Sequence, residues 1–135
     1  RCIELIKTGS ATLIPQDHDR SSYAPKITKS EAFIDWSEDA QQIERKIRAF
    51  NPSPVAYTTL NSIRIKIWRA QPIEKLSTTP PGVILSDDKK GLAVACRDKC
   101  LRLLEVQFPG KSRIKVADLL NSNASFLAEG NRLGT

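Results

Sequence analysis

The sequence predicts a mainly β domain, a small closed antiparallel barrel with one amphipathic helix before it and a short helix after it. Apolar periodicity changes after Pro54 from about 3.6 residues to 2. Five short segments with that alternation then follow one another up to Phe108, separated by Gly, Pro, Asn and Asp. Within the last of them the apolar phase slips between Leu103 and Leu104, the mark of a β-bulge. An open sheet of five strands would leave two edges needing protection, and closure removes them. A flattened sandwich is the alternative arrangement.

The elements can be justified in order. Cys2, Ile3, Leu5 and Ile6 recur at helical spacing up to Gly9, where a helix would stop, and read as the tail of a helix whose packing partners lie outside this sequence. Residues 10–27 keep no period, hold Pro15 and Pro25, and read as a linker. Thr28 with Glu31 three residues later is a capping-box pattern, predicting a short helical turn through Phe33. Ser37 is then placed to cap a helix whose first turn holds Glu38 and Asp39. Ala40, Ile43, Ile47 and Phe50 recur along its inward side, Lys46 and Arg48 fall away from it, and Asn51-Pro52-Ser53-Pro54 ends it. Strands are predicted over 55–60 and 63–70, joined near Asn61-Ser62. A polar, proline-containing excursion follows over 71–81, then strands over 82–86, 91–96 and 101–108, with a turn over 87–90. A last helix is expected over 116–121.

The 135 residues, 40% of them apolar, fit one domain with a modest core. The chain opens on Arg1 and contains no methionine, so it is expected to be cut from a longer protein. No apolar run approaches the roughly 20 residues of a membrane span, and no secretory signal is present, so a soluble cytoplasmic protein without a membrane partner is expected. Three cysteines form no disulfide framework, and the only histidine, His18, lies in the linker, far from Cys96 and Cys100. A structural zinc wants four ligands, so no metal is expected and the cysteines read as small reduced apolar side chains.

Charge carries the functional signal. The net charge is +6; residues 1–35 hold five basic and five acidic side chains, so the whole excess arises beyond them. Such an excess concentrates a polyanion and speeds its capture. Arg64 and Lys66 alternate with Ile63, Ile65 and Ile67, so they share one strand face that Trp68 continues and Arg69 follows. Two cations and an indole can meet phosphates and stack on a base or ribose; the plainer reading is a solvated face, with Trp68 covering the end of the barrel. Lys111, Arg113 and Lys115 alternate with Ser112 and Ile114, and an extended backbone would set them in a row across several phosphates. Lys26 and Lys29, in or beside the linker, are placed to line a channel between two domains, and Arg48 adds a cation on the helix. Gly110-Lys111-Ser112 lacks the earlier glycine of a phosphate-binding loop, that position being Glu105, which excludes nucleotide hydrolysis. His18 has no helix or strand to hold it as a catalytic base, and no carboxylates have supporting spacing, so no catalytic residue is expected.

Several segments taken together resemble the C-terminal domain of the methionyl-tRNA formyltransferase family: Ile34-Asp35-Trp36-Ser37, Arg48-Ala49-Phe50-Asn51-Pro52, Lys66-Ile67-Trp68-Arg69-Ala70, Pro81-Gly82, Ala117-Asp118-Leu119-Leu120-Asn121 and Gly130-Asn131-Arg132-Leu133. They occur in the family's order over nearly the whole chain. The resemblance implies a five-stranded OB-like Greek-key barrel over residues 28–135, a linker over 10–27, and in residues 1–9 the end of the last helix of a Rossmann-like catalytic domain. It implies that the parent enzyme transfers a formyl group from 10-formyltetrahydrofolate to the methionine amino group of initiator tRNA. The donor and the catalytic Asn, His and Asp side chains, beside a Ser-Leu-Leu-Pro loop, would belong to the missing domain. The fragment, a monomer, would bind no cofactor and be inactive alone. Its share would be to hold the tRNA backbone through Lys26, Lys29, Arg48, Arg64, Lys66, Arg69, Lys111, Arg113 and Lys115, with Tyr23-Ala24-Pro25-Lys26-Ile27 matching the family's basic linker position. Ser53 replaces a frequent tryptophan, Ser62 stands where the family carries a turn glycine, and Asn123-Ala124 stand where a basic residue is frequent, so the C-terminal segment is left out of the site.

Two other readings fit the same charge: a free-standing OB-type module for single-stranded or ribosomal RNA, and a structural C-terminal domain of a sugar-nucleotide or folate formyltransferase. The first leaves the helix at residues 2–8 unexplained and offers few clustered aromatics. The second needs no surplus of cations.

Overall fold

The computed structural model describes residues 2–87, 91–122 and 125–135. The predicted turn over 87–90 falls largely outside them, as do Asn123-Ala124. The chain is mainly β: an antiparallel sheet with a helix before it and a short helix after it, as the sequence predicts. Its strands are β1 (Tyr57–Leu60), β2 (Ile63–Leu76), β3 (Ile84–Asp87), β4 (Gly91–Ala95), β5 (Lys99–Gln107) and β6 (Ile114–Lys115), and its helices α1 (Cys2–Lys7), α2 (Ala40–Ala49) and α3 (Val116–Asn121). The strand order is β1-β2-β5-β4-β3, with β6 pairing β5 beside β4.

Two strands differ from expectation. The short β6 lies where a loop was expected, because Ile114 pairs with Val106 and turns partly inward. β2 continues through Pro72 to Leu76 instead of ending at Ala70. Beyond Ile67, whose N–H still reaches Ala56 O at 2.8 Å, β5 is its only partner strand among the described residues, the edge setting in which a strand tolerates proline.

The predicted bulge is present and has a counterpart. Ile67 faces Val106, Arg69 faces Glu105 and Ala70 faces Leu103, so Trp68 is extra in β2 and Leu104 in β5. A bulge leaves its extra residue out of the ladder. Asn51 at the end of α2 compensates, its Nδ2 donating to the Trp68 carbonyl at 2.8 Å. One motif thereby supports another.

The two outer strands are joined through the chain ends. On β3, Ile84 N–H donates to Asn131 O, Gly130 N–H to Ile84 O and Leu133 N–H to Gly82 O, each at 2.8 Å. Gly134 N–H then donates to Thr59 O of β1 at 2.7 Å. Ile34 N–H donates to Tyr57 O at 2.9 Å, laying an extended segment along β1. In that segment Ala32, Ile34 and Trp36 are buried while Phe33 and Asp35 are exposed, a period of two. The Trp36 indole N–H is satisfied by the buried Thr58 hydroxyl at 3.0 Å. The core is Ile34 and Trp36 with Ile43 and Ile47 of α2, Ile65, Ile67, Ile84, Val94, Leu101, Leu103, Val106 and Leu133.

The caps depart from expectation. Ser37 does not cap α2: its hydroxyl and its N–H both go to the Asp35 carboxylate, at 2.6 and 2.9 Å. The first residue, Ala40, donates instead to Asp98 Oδ1 at 3.0 Å, from the β4–β5 turn. Asp39 pairs with Arg97 of the same turn at 2.7 Å. The turn between Cys96 and Cys100 thus fastens the helix to the sheet. Of the capping box, Glu31 accepts the Thr28 N–H at 2.9 Å, but the Thr28 hydroxyl turns to Glu31 and Ser30, and only one 3-10 turn, Ser30–Ala32, forms.

Candidate nucleic-acid interface

β2 carries the site because its side chains alternate. Ile65 and Ile67 enter the core, which turns Arg64, Lys66 and Trp68 outward. The Arg64 guanidinium lies 4.2 Å from the centroid of Tyr57 on neighbouring β1, a cation–π contact. Phe33 meets the same ring edge-on at 5.5 Å. Lys29, Pro54, Val55, Tyr57, Arg64 and Lys66 surround a hollow of about 130 Å³. Arg64 and Lys66 also border a groove of about 210 Å³ on the side of Phe108 and Gly110. Neither these two cations nor Lys29 forms an ion pair with a carboxylate among the described residues.

Past the bulge the electrostatics change. Glu105, only 7% exposed, receives Arg69 Nη1 at 3.2 Å on one oxygen and Arg113 Nε at 2.5 Å on the other, with Lys115 opposite it in the β5–β6 register. The Arg113 guanidinium also sits 5.1 Å from the Trp68 ring centroid, and the Trp68 N–H donates to Gln107 Oε1 at 2.9 Å. The indole is therefore held within the protein, in keeping with its plainer reading. Arg48 pairs with Glu44 at 3.3 Å one helical turn away, and with Arg69 it lines a groove of about 420 Å³. Arg69 and Lys115 share another of about 360 Å³.

All the predicted cations except Lys26 are therefore linked through shared grooves, a shared carboxylate or the 107–111 turn. They fall into two groups. Lys29, Arg64, Lys66, Lys111 and Lys115 form no ion pair among the described residues, whereas Arg48, Arg69 and Arg113 are each paired with a carboxylate. Lys111, Arg113 and Lys115 do not form the expected row, because Lys111 lies in the turn that closes on Phe108 O, while Arg113 is drawn to Glu105. Lys26 is exposed on the extended linker.

Sequence reasoning missed Glu105, Tyr57 and Phe108. Glu105 is the only buried charged side chain among the described residues. Its signal was a carboxylate set among Leu103, Leu104 and Val106 of β5, but the cations facing it become visible only once the bulges fix the register.

Burial pushes the Cys96 thiol up to about 12, and burial likewise raises Cys100, so both remain protonated apolar fillers beneath the 96–100 turn. Among the described residues no helix is long and apolar enough to cross a membrane.

Residues 26–124 match the family described as formyl transferase, C-terminal domain. The chain belongs to that family. It is 48% identical over 120 residues to the methionyl-tRNA formyltransferase of Methylococcus capsulatus, covering 89% of this chain and 38% of that one. To the enzyme of the same name from Legionella pneumophila it is 42% identical over 128 residues, covering 95% and 41%. The chain thus spans about two fifths of the curated relatives it matches. Among solved structures, a multiply substituted HypX from Aquifex aeolicus superposes with a TM-score of 0.66 at 21% identity over 94% of this chain and 23% of that one. HypX bound to tetrahydrofolic acid gives 0.64 at 22% identity over 93% and 22%. These likenesses establish the fold of the formyl transferase C-terminal domain.

Proposed function

We propose that this formyl transferase C-terminal domain is the tRNA-holding part of a cytoplasmic methionyl-tRNA formyltransferase. In this reading residues 1–9 end the catalytic domain, 10–27 link it, and 28–135 grip the ribose–phosphate backbone of the initiator tRNA. The missing domain moves the formyl group from 10-formyltetrahydrofolate to the methionine amine. Cations bind phosphates far from the reacting atoms, and that binding energy helps hold the amine beside its donor. The observation that carries the reading is the carboxylate-free group Lys29, Arg64 and Lys66 around Tyr57, on a domain whose relatives bear the enzyme's name. The exposed apolar side chains of α1, Ile3 and Ile6, support the division at residue 9.

The test is tRNA binding against salt. Log affinity should fall with log salt by roughly 0.7–0.9 per phosphate contact. Replacing both Arg64 and Lys66 by alanine should remove about two contacts' worth of slope with little change in stability. Binding that does not vary with salt would remove the electrostatic grip.

A further inference from the structure

Arg64 and Lys66 divide two hollows of different chemistry. The side toward Lys29 and Tyr57 is cationic. The other side is walled by Phe108, Pro109 and Gly110. Phe108 is braced edge-on by Phe126, with ring centroids 5.3 Å apart and planes at 86°. The wall is a turn closed by Lys111 N–H on Phe108 O at 3.1 Å, with proline and a positive-φ glycine at its centre. Gln107 secures it by donating to Lys111 O at 2.8 Å while accepting from the Trp68 indole. Both polar ends of Gln107 are thereby used internally, so the groove offers hydrocarbon and ring surface on one side and, on the other, two cations with no ion pair among the described residues.

We infer that this groove receives one unpaired nucleobase of the bound RNA, lying against Phe108 and Pro109 while Arg64 and Lys66 hold its flanking phosphates. The inference rests on the tRNA reading and narrows it. At about 210 Å³ the groove is below the roughly 300–1,000 Å³ of sites for whole drug-sized ligands and matches a single ring system. A wall whose side chains are ring and hydrocarbon does not read sequence, because every base has a π-face. Bases of an A-form duplex are stacked on one another and cannot enter, so the groove selects looped or single-stranded nucleotides.

The experiment compares, on the unaltered chain, a short oligouridylate with an abasic strand of equal length and equal phosphate number. The oligouridylate should bind about tenfold more tightly, with the same salt slope. Phe108→Leu, which keeps apolar volume and removes the aromatic face, should abolish that ratio and leave the slope unchanged. Equal affinity of the unaltered chain for the two strands overturns the inference, as does failure of both strands to bind. If tRNA binding still falls with salt in that case, the tRNA reading stands without the base site.

Discussion

Gly82 joins the two ends of the sheet, and a single methyl group there measures how tightly. Its φ is +89°, and a Cβ would come 2.6 Å from the backbone carbonyl oxygen of Leu133, whose own N–H donates to Gly82 O. Neither group is a flexible side-chain end, so the C-terminal segment must move. The left-handed backbone costs an L-residue about 1–2 kcal/mol, and overpacking adds about 1–3. The stiffer unfolded chain returns about 0.4–1. Gly82→Ala should therefore destabilise by about 1–5 kcal/mol, centred near 3, read as a lower urea midpoint at unchanged m-value. Gly110→Ala is the control, since its φ is +68° and nothing lies within 4 Å of the added Cβ, leaving only the conformational cost of about 1 kcal/mol. Hydrogen exchange should place the difference at the Ile84 and Leu133 amides, whose bonds run between β3 and the segment after Gly130. Equal effects of the two substitutions would show that the closing segment is not packed on Gly82 and would sink this account of how the sheet edges are covered.

Three further outcomes follow from contacts described above. Ser62→Gly should stabilise by about 1 kcal/mol, because Asn61 and Ser62 both hold positive φ in the two-residue β1–β2 turn, and urea denaturation checks it. Asp98→Ala should cost about 1 kcal/mol by uncapping α2, whereas Asp98→Asn retains an acceptor. The Ala40 N–H holds the Asp98 carboxyl below its ordinary value, so its contribution is complete above the unfolded value near pH 4 and is lost as pH falls through the lower folded value. Stability measured from pH 7 downward should show any advantage of the native chain over Asp98→Asn shrinking below about pH 4, and a constant gap would refute the assignment. Glu105→Gln should release Arg69 and Arg113 from neutralisation and steepen the salt dependence of tRNA binding by about one contact; an unchanged slope would show that the arginines never meet phosphate.

Much of the fold was legible because it follows from local rules. The change of period after Pro54, the inward face Ala40, Ile43 and Ile47, and the slip at Leu103-Leu104 each report burial directly. What stayed hidden depends on contacts distant in sequence. Ser37 has the right chemistry to cap α2, but Asp35 lies two residues away and takes its hydroxyl, leaving Asp98, 58 residues on from Ala40, to supply the cap. The site was legible as charge and not as pairing. Alternation exposes Arg64 and Lys66 whatever the register, whereas the pairing of Arg69 and Arg113 with Glu105 depends on a register that shifts on either side of Arg69 and on the short β6 strand.

The contrast along β2 has a physical cause. Near its start the strand's outer face is open to water, and Arg64 is exposed while lying over the Tyr57 ring. Cations there need no counter-charge. Past Trp68, β2, β5 and β6 place Arg69, Arg113 and Lys115 around a nearly buried carboxylate, and a buried charge persists only when paired. Arg69 and Arg113 compensate Glu105 before they can compensate any phosphate. The count of basic side chains therefore overstates the pull of the chain on a polyanion, and in the proposed tRNA reading the phosphate contacts fall to Lys29, Arg64 and Lys66, with Lys111 and Lys115 beside them. Counterion release by these five would give a salt slope of roughly 3.5–4.5. A slope well above that would mean that Glu105 and Glu44 surrender their arginines when RNA arrives, making the paired cluster a reserve of charge and not a fixed part of the scaffold.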